Sequence, residues 1–102
     1  ADHFTLTVTG PEEEPVRRAC AQLCAALRQA LSQEPYRAME PEVLGPAPAP
    51  VVKLNNRYRY RVTLYCNQSK AVRRAAANIV MYCNTEKSFR DVTVFADDNP
   101  LD

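Results

Sequence analysis

The stretch Arg57-Tyr58-Arg59-Tyr60-Arg61-Val62-Thr63-Leu64-Tyr65-Cys66 decides the fold. Side chains of an extended chain point alternately to opposite faces. Tyr58, Tyr60, Val62, Leu64 and Cys66 therefore share one side, and Arg57, Arg59, Arg61, Thr63 and Tyr65 the other. Because the tyrosines keep step with the aliphatics, they belong to a core face and the arginines point outward. The strand is thus half buried, with one face free of the core.

Working towards the N-terminus, Phe4 to Thr9 repeats the alternation, with Phe4, Leu6 and Val8 opposite Thr5, Thr7 and Thr9, until Gly10-Pro11 ends it. From about Glu12 to Ser32 the apolar residues Val16, Cys20, Leu23, Leu27, Ala30 and Leu31 recur at three and four, the period of a helix packed on one face. Glu12, Glu13 and Glu14 suit the positive end of its dipole, and Pro15 is tolerated because a first turn has no internal donor to lose. The acidic triplet therefore reads as helix-start chemistry. Pro35 lies past the helix end. A strand is expected from about Ala38 to Leu44, with Pro41 marking it as an edge or bulged strand. The Pro-rich arm 45–52, beginning Gly45-Pro46-Ala47-Pro48-Ala49-Pro50, favours extended polyproline geometry and reads as a stiff connector.

Past the tyrosine strand, Ser69 is a good N-cap for a helix to about Asn84, whose buried stripe would be Val72, Ala75, Ala76, Ile79, Val80 and Cys83. A last strand is expected from Val92 to Ala96, stopped by Asp97-Asp98-Asn99-Pro100. The order β-α-β-β-α-β predicts an α+β fold: a four-stranded, mainly antiparallel sheet with two helices on one face and the other face left for a partner.

The length of 102 residues fits a single domain over 1–102, large enough to bury a core. No apolar run approaches a membrane span. The start, Ala1-Asp2-His3, lacks an initiator Met and a signal segment, so the expectation is a non-secreted, cytoplasmic piece of a longer protein. Cys20, Cys24, Cys66 and Cys83 allow two disulfides or a metal site in principle, but their spacing matches no zinc-finger pair, and reduced, buried thiols are expected. With Gly10 and Gly45 the only glycines, no phosphate-cradling loop exists. The single histidine, His3, and the adjacent Asp97 and Asp98 make no acid–base pair. No catalytic constellation, metal site or cofactor site is expected in this chain, which reads as a non-enzyme.

The net charge of +1 hides a segregation. Residues 1–42 carry four bases against seven acids, and residues 86–102 two against five, whereas residues 43–85 carry seven bases and no acid. Such a stretch suits a polyanion or an acidic peptide. Arg57, Arg59 and Arg61 at every second position set guanidinium groups about 7 Å apart, a row able to meet successive phosphates. Lys70, Arg73 and Arg74 at the start of the second helix enlarge the field although they oppose the local dipole, which favours binding over architecture. The topology invites comparison with the RNA-recognition motif, but the strand lacks that motif's glycines and turns Tyr58 and Tyr60 inward, so base stacking on them is disfavoured.

Leu44-Gly45-Pro46-Ala47-Pro48-Ala49-Pro50, followed by Lys53-Leu54 and Arg57-Tyr58-Arg59-Tyr60-Arg61, resembles the C-terminal domain of primosomal protein N-prime, a bacterial family, and the likeness covers nearly the whole chain. The resemblance implies a ribosomal protein S10-like fold and a parent that is an ATP-dependent 3′-to-5′ replication-restart DNA helicase. ATP, magnesium and zinc would belong to upstream domains of the parent. For this domain it implies binding of fork, duplex or branched DNA, with Lys53, Arg57, Arg59 and Arg61 as the contacting residues. It also implies docking of the acidic C-terminal tail of single-stranded-DNA-binding protein, with Lys70 and Arg74, one helical turn apart, facing the tail and Arg73 beside them. No membrane partner is implied. Asn55-Asn56 stands where the family often has Arg-Gly, and Asp98-Asn99 replaces a usual apolar residue and Asp. An acidic-peptide module without DNA binding of its own, and a structural brace for upstream domains, stay open beside this reading.

Overall fold

The computed structural model describes residues 2–67 and 69–97, without the side chains of Asp2, Ser69 and Asp97. Strand β1 (Asp2–Gly10) leads into helix α1 (Glu13–Leu31), then come the long strand β2 (Glu42–Leu54), β3 (Arg57–Cys66), helix α2 (Ser69–Cys83) and β4 (Thr93–Asp97). All pairs are antiparallel, in the order β2-β3-β1-β4, which sets the two alternating strands in the middle.

The register explains the layers. Phe4, Leu6 and Val8 stand opposite Leu64, Val62 and Tyr60. Residues directly opposite share a face, so these six make one apolar floor. Val16, Cys20, Leu23 and Leu27 of α1 and Val72 and Ala76 of α2 close over it and are fully buried or nearly so. The α+β order expected from periodicity is therefore the observed one. In α2, Val72, Ala75, Ala76 and Cys83 are buried as expected, while Ile79 and Val80 are only half buried. All four cysteines are buried. Burial raises the thiols of Cys20, Cys24 and Cys83, and pushes Cys20 up to about 12.

The largest departure concerns β2. The strand expected from about Ala38 to Leu44 begins only at Glu42, because Tyr36–Met39 makes a 3-10 turn that Glu40 ends in a left-handed conformation. The Pro-rich arm, expected as a connector, is instead part of the strand. An edge strand needs partners on one side only, so a proline's missing donor can be tolerated there. Pairing with β3 still slips twice, between Leu44 and Ala47 past Pro46 and between Pro48 and Lys53 past Pro50, while Pro48 itself stands opposite Tyr60. Asn55 and Asn56, with φ of 54° and 61°, form the two-residue turn to β3.

Among the described residues no helix is long and apolar enough to cross a membrane, and no group of three or more His, Cys, Asp or Glu side chains is placed to hold a metal. The expected Ser69 cap and the Asp98-Asn99 departure lie outside what is described.

Candidate nucleic-acid interface

Both helices lie on the Tyr60 side, and among the described residues no helix lies over the other face of the sheet. Across it the register pairs Thr7 with Arg61, Thr9 with Arg59, Thr5 with Thr63 and His3 with Tyr65. The arginine row expected from alternation is thus on the helix-free face. Arg57 donates from Nη2 to the Thr9 carbonyl at 3.2 Å, and Arg59 from Nη1 to the Val51 carbonyl at 3.1 Å. Each contact uses part of a five-donor fork and leaves donors for an anion. Among the described residues Arg61 has no hydrogen-bond or ion-pair partner, and the ion pairs present, Arg17 with Glu14 and Arg37 with Glu34, lie elsewhere. No carboxylate neutralises the row among those residues.

The tyrosines face the helices. Tyr60 donates its hydroxyl to Glu13 Oε2 at 2.8 Å, tying β3 to the start of α1. That hydrogen bond, with burial and the nearby charge, raises the phenol above its ordinary range. Glu13 thus serves a fold contact as well as the helix dipole.

The seven cationic residues singled out in the sequence do not form one patch. Lys53 pairs across the ribbon with Tyr58, and its Nζ stands 5.1 Å from the Tyr58 ring centroid, so it belongs to the tyrosine side. Arg73 lies over the Phe4 ring at 4.5 Å, packed against the core, while Lys70 and Arg74 are exposed. Arg73 also lines a cavity of about 320 Å³ between α2 and β4, whose walls include Leu6, Ala76, Val80, Met81 and Val94.

Two features lie outside the cationic residues singled out in the sequence. Arg28, which lies off the apolar stripe of α1, donates from Nη2 to the carbonyls of Val43 at 3.0 Å and Gly45 at 3.1 Å, and Cys24 Sγ reaches the same Gly45 oxygen at 3.2 Å. These contacts hold the kinked edge strand against the helix, and nothing in the helical pattern signals them. The second is a set of exposed aromatics on the helix-free face: Tyr65, with its ring centroid 5.4 Å from that of His3, and Phe95, opposite Thr7 on β4. Alternation had put Tyr65 with the arginines, and that was the available signal.

No curated protein matches the chain. The family described as primosomal protein N C-terminal domain matches residues 2–101, which include every strand and both helices. The chain therefore belongs to the primosomal protein N C-terminal domain family and has a place in the replication-restart primosome.

Proposed function

We propose that this domain is the DNA-contacting and protein-docking module of a replication-restart helicase. Arg57, Arg59 and Arg61 take backbone phosphates along β3, which gives affinity and orientation with little discrimination between bases. The observation that carries this reading is the row itself: three permanent charges on a helix-free sheet face, with no carboxylate paired to them among the described residues. Lys53, across the ribbon, contributes to the field rather than to the row.

The acidic tail of single-stranded-DNA-binding protein docks at α2. The cavity between α2 and β4 favours this second role, because its apolar walls and the Arg73 cation suit a peptide that joins an apolar side chain to carboxylates.

Titrating the 102-residue chain with duplex, fork and single-stranded DNA over a range of salt tests the first role. The logarithm of affinity should fall with log salt by about 0.9 per duplex phosphate contact, or about 0.7 on single strands. Replacing Arg57, Arg59 and Arg61 by Ala should remove most of that slope; an unchanged slope refutes the assignment. Lys70→Glu with Arg74→Glu should abolish tail binding and spare DNA, whereas equal loss of both would mean one shared site.

A further inference from the structure

We infer that the helix-free face takes single-stranded DNA, with unpaired bases stacked on Phe95 and Tyr65 while the phosphates follow the arginines. The inference rests on the DNA reading above and specifies the form of DNA.

Arg61, Thr7 and Phe95 stand abreast on three neighbouring strands. Two strand spacings put the roots of Arg61 and Phe95 about 10 Å apart. A cation on the phosphate and a ring beneath the base of one nucleotide need such an arrangement. Thr7 between them is 1% exposed, so the floor is closed, whereas Phe95 is 42% exposed at the sheet edge. Tyr65 lies four residues beyond Arg61 on the same face, about 13 Å along the strand, and is 38% exposed beside His3.

A duplex keeps its bases stacked on one another and offers no free ring to such a surface. Unpaired bases do, and aromatic stacking accepts any of them, as a fork-binding module would need. The charge pattern agrees. On the helix-free face Glu42 stands opposite Tyr65, whereas Arg61 stands opposite Thr7 and Arg59 opposite Thr9. Phosphates are drawn to the arginines and repelled from the Tyr65 end, which is left to bases.

The test uses the whole 102-residue chain with a single strand carrying 2-aminopurine and with the matching duplex. Tyr65→Ala and Phe95→Ala should each weaken single-strand binding about 5- to 150-fold, the value of one lost stack, and reduce the quench of the fluorescent base. Duplex affinity and the salt slope should stay unchanged. Phe95 also borders the cavity beside α2, so Phe95→Leu, which keeps apolar bulk at the edge, should reproduce the loss of quench in a folded chain. Tyr65→Phe, which keeps the ring, should bind as the unaltered chain does. Unchanged single-strand affinity in Tyr65→Ala with Phe95→Leu would overturn the inference, and so would equal loss of single-strand and duplex binding. If the triple arginine variant loses DNA while the aromatic variants do not, the DNA reading stands and this one falls.

Discussion

Gly45 lies directly against the backbone of Arg61. A Cβ built on it would come within 2.8 Å of the Arg61 carbonyl oxygen and 3.3 Å of the Val62 Cα, at a φ of +132°. The neighbours are main-chain atoms of a central strand and cannot swing aside, and the dihedral itself is one that L residues rarely adopt. The same glycine offers its carbonyl to Arg28 and Cys24, so the edge strand is pinned from both sides at this residue. Gly45→Ala should therefore destabilise the chain by about 1–3 kcal/mol, read from the urea midpoint. A midpoint equal to that of the unaltered chain would show that β2 does not approach β3 so closely.

A second prediction concerns sidedness. Lys53 and Arg61 carry the same charge on the same ribbon, yet Lys53 pairs with Tyr58 on the helix side and Arg61 pairs with Thr7 on the other. Arg61→Ala should lower the salt slope of duplex binding by about 0.9, whereas Lys53→Ala should leave it where it was. Affinity measured at several salt concentrations decides. Equal drops would put both cations on the DNA.

The face that each residue of β3 presents could be read from alternation alone, because a strand in the middle of a sheet has little freedom to slip once one side is buried. The same rule failed on β2. Three prolines argued against a ladder, but an edge strand can do without donors on one side, and the two slips let the chain pass Pro46 and Pro50 while Pro48 stays in register opposite Tyr60. Lys53 shows how much that matters, since a slip changes which face a residue takes. A two-residue turn at Asn55-Asn56 pairs Leu54 with Arg57 and Lys53 with Tyr58, so the lysine's side was in the sequence once the turn was recognised. The Arg28 contacts could not be read in the same way. They depend on where a strand fifteen residues away comes to rest, and helical periodicity carries no information about that.

Alkaline pH should weaken the fold through the buried thiols. Burial, with a smaller contribution from Cys24, pushes Cys20 up to about 12 from an ordinary 9.0. The unfolded chain thus loses this proton near pH 9 while the folded chain keeps it until about pH 12. Across that window the unfolded state binds fewer protons, so the unfolding free energy falls as pH rises, and below it the stabilisation is fully present. Cys20 alone contributes a slope of at most about 1.4 kcal/mol per pH unit. Tyr60, raised by its bond to Glu13, and Cys24 and Cys83, raised by burial, act in the same direction. Urea midpoints from about pH 8 to about pH 11 should fall less steeply in Cys20→Ala than in the unaltered chain. Identical slopes would mean that the Cys20 thiol is not held protonated by the core.

Arg73 should behave differently from the two cations beside it on α2. Its guanidinium lies 4.5 Å over the ring of Phe4, a core residue of a central strand, whereas Lys70 and Arg74 are exposed. Removing Arg73 therefore takes away a cation–π contact of about 0.5–1 kcal/mol together with the packing of its stem. Removing either neighbour should change stability by less than about 0.5 kcal/mol. The informative variant is Arg73→Lys, which keeps the charge but gives up the flat stacking surface. Thermal melts should show it less stable than the unaltered chain, while an acidic peptide with an apolar end should still bind nearly as well. If Arg73→Lys instead melts normally and loses the peptide, the guanidinium serves the ligand rather than the fold, and the Phe4 contact is only where it rests when no peptide is bound.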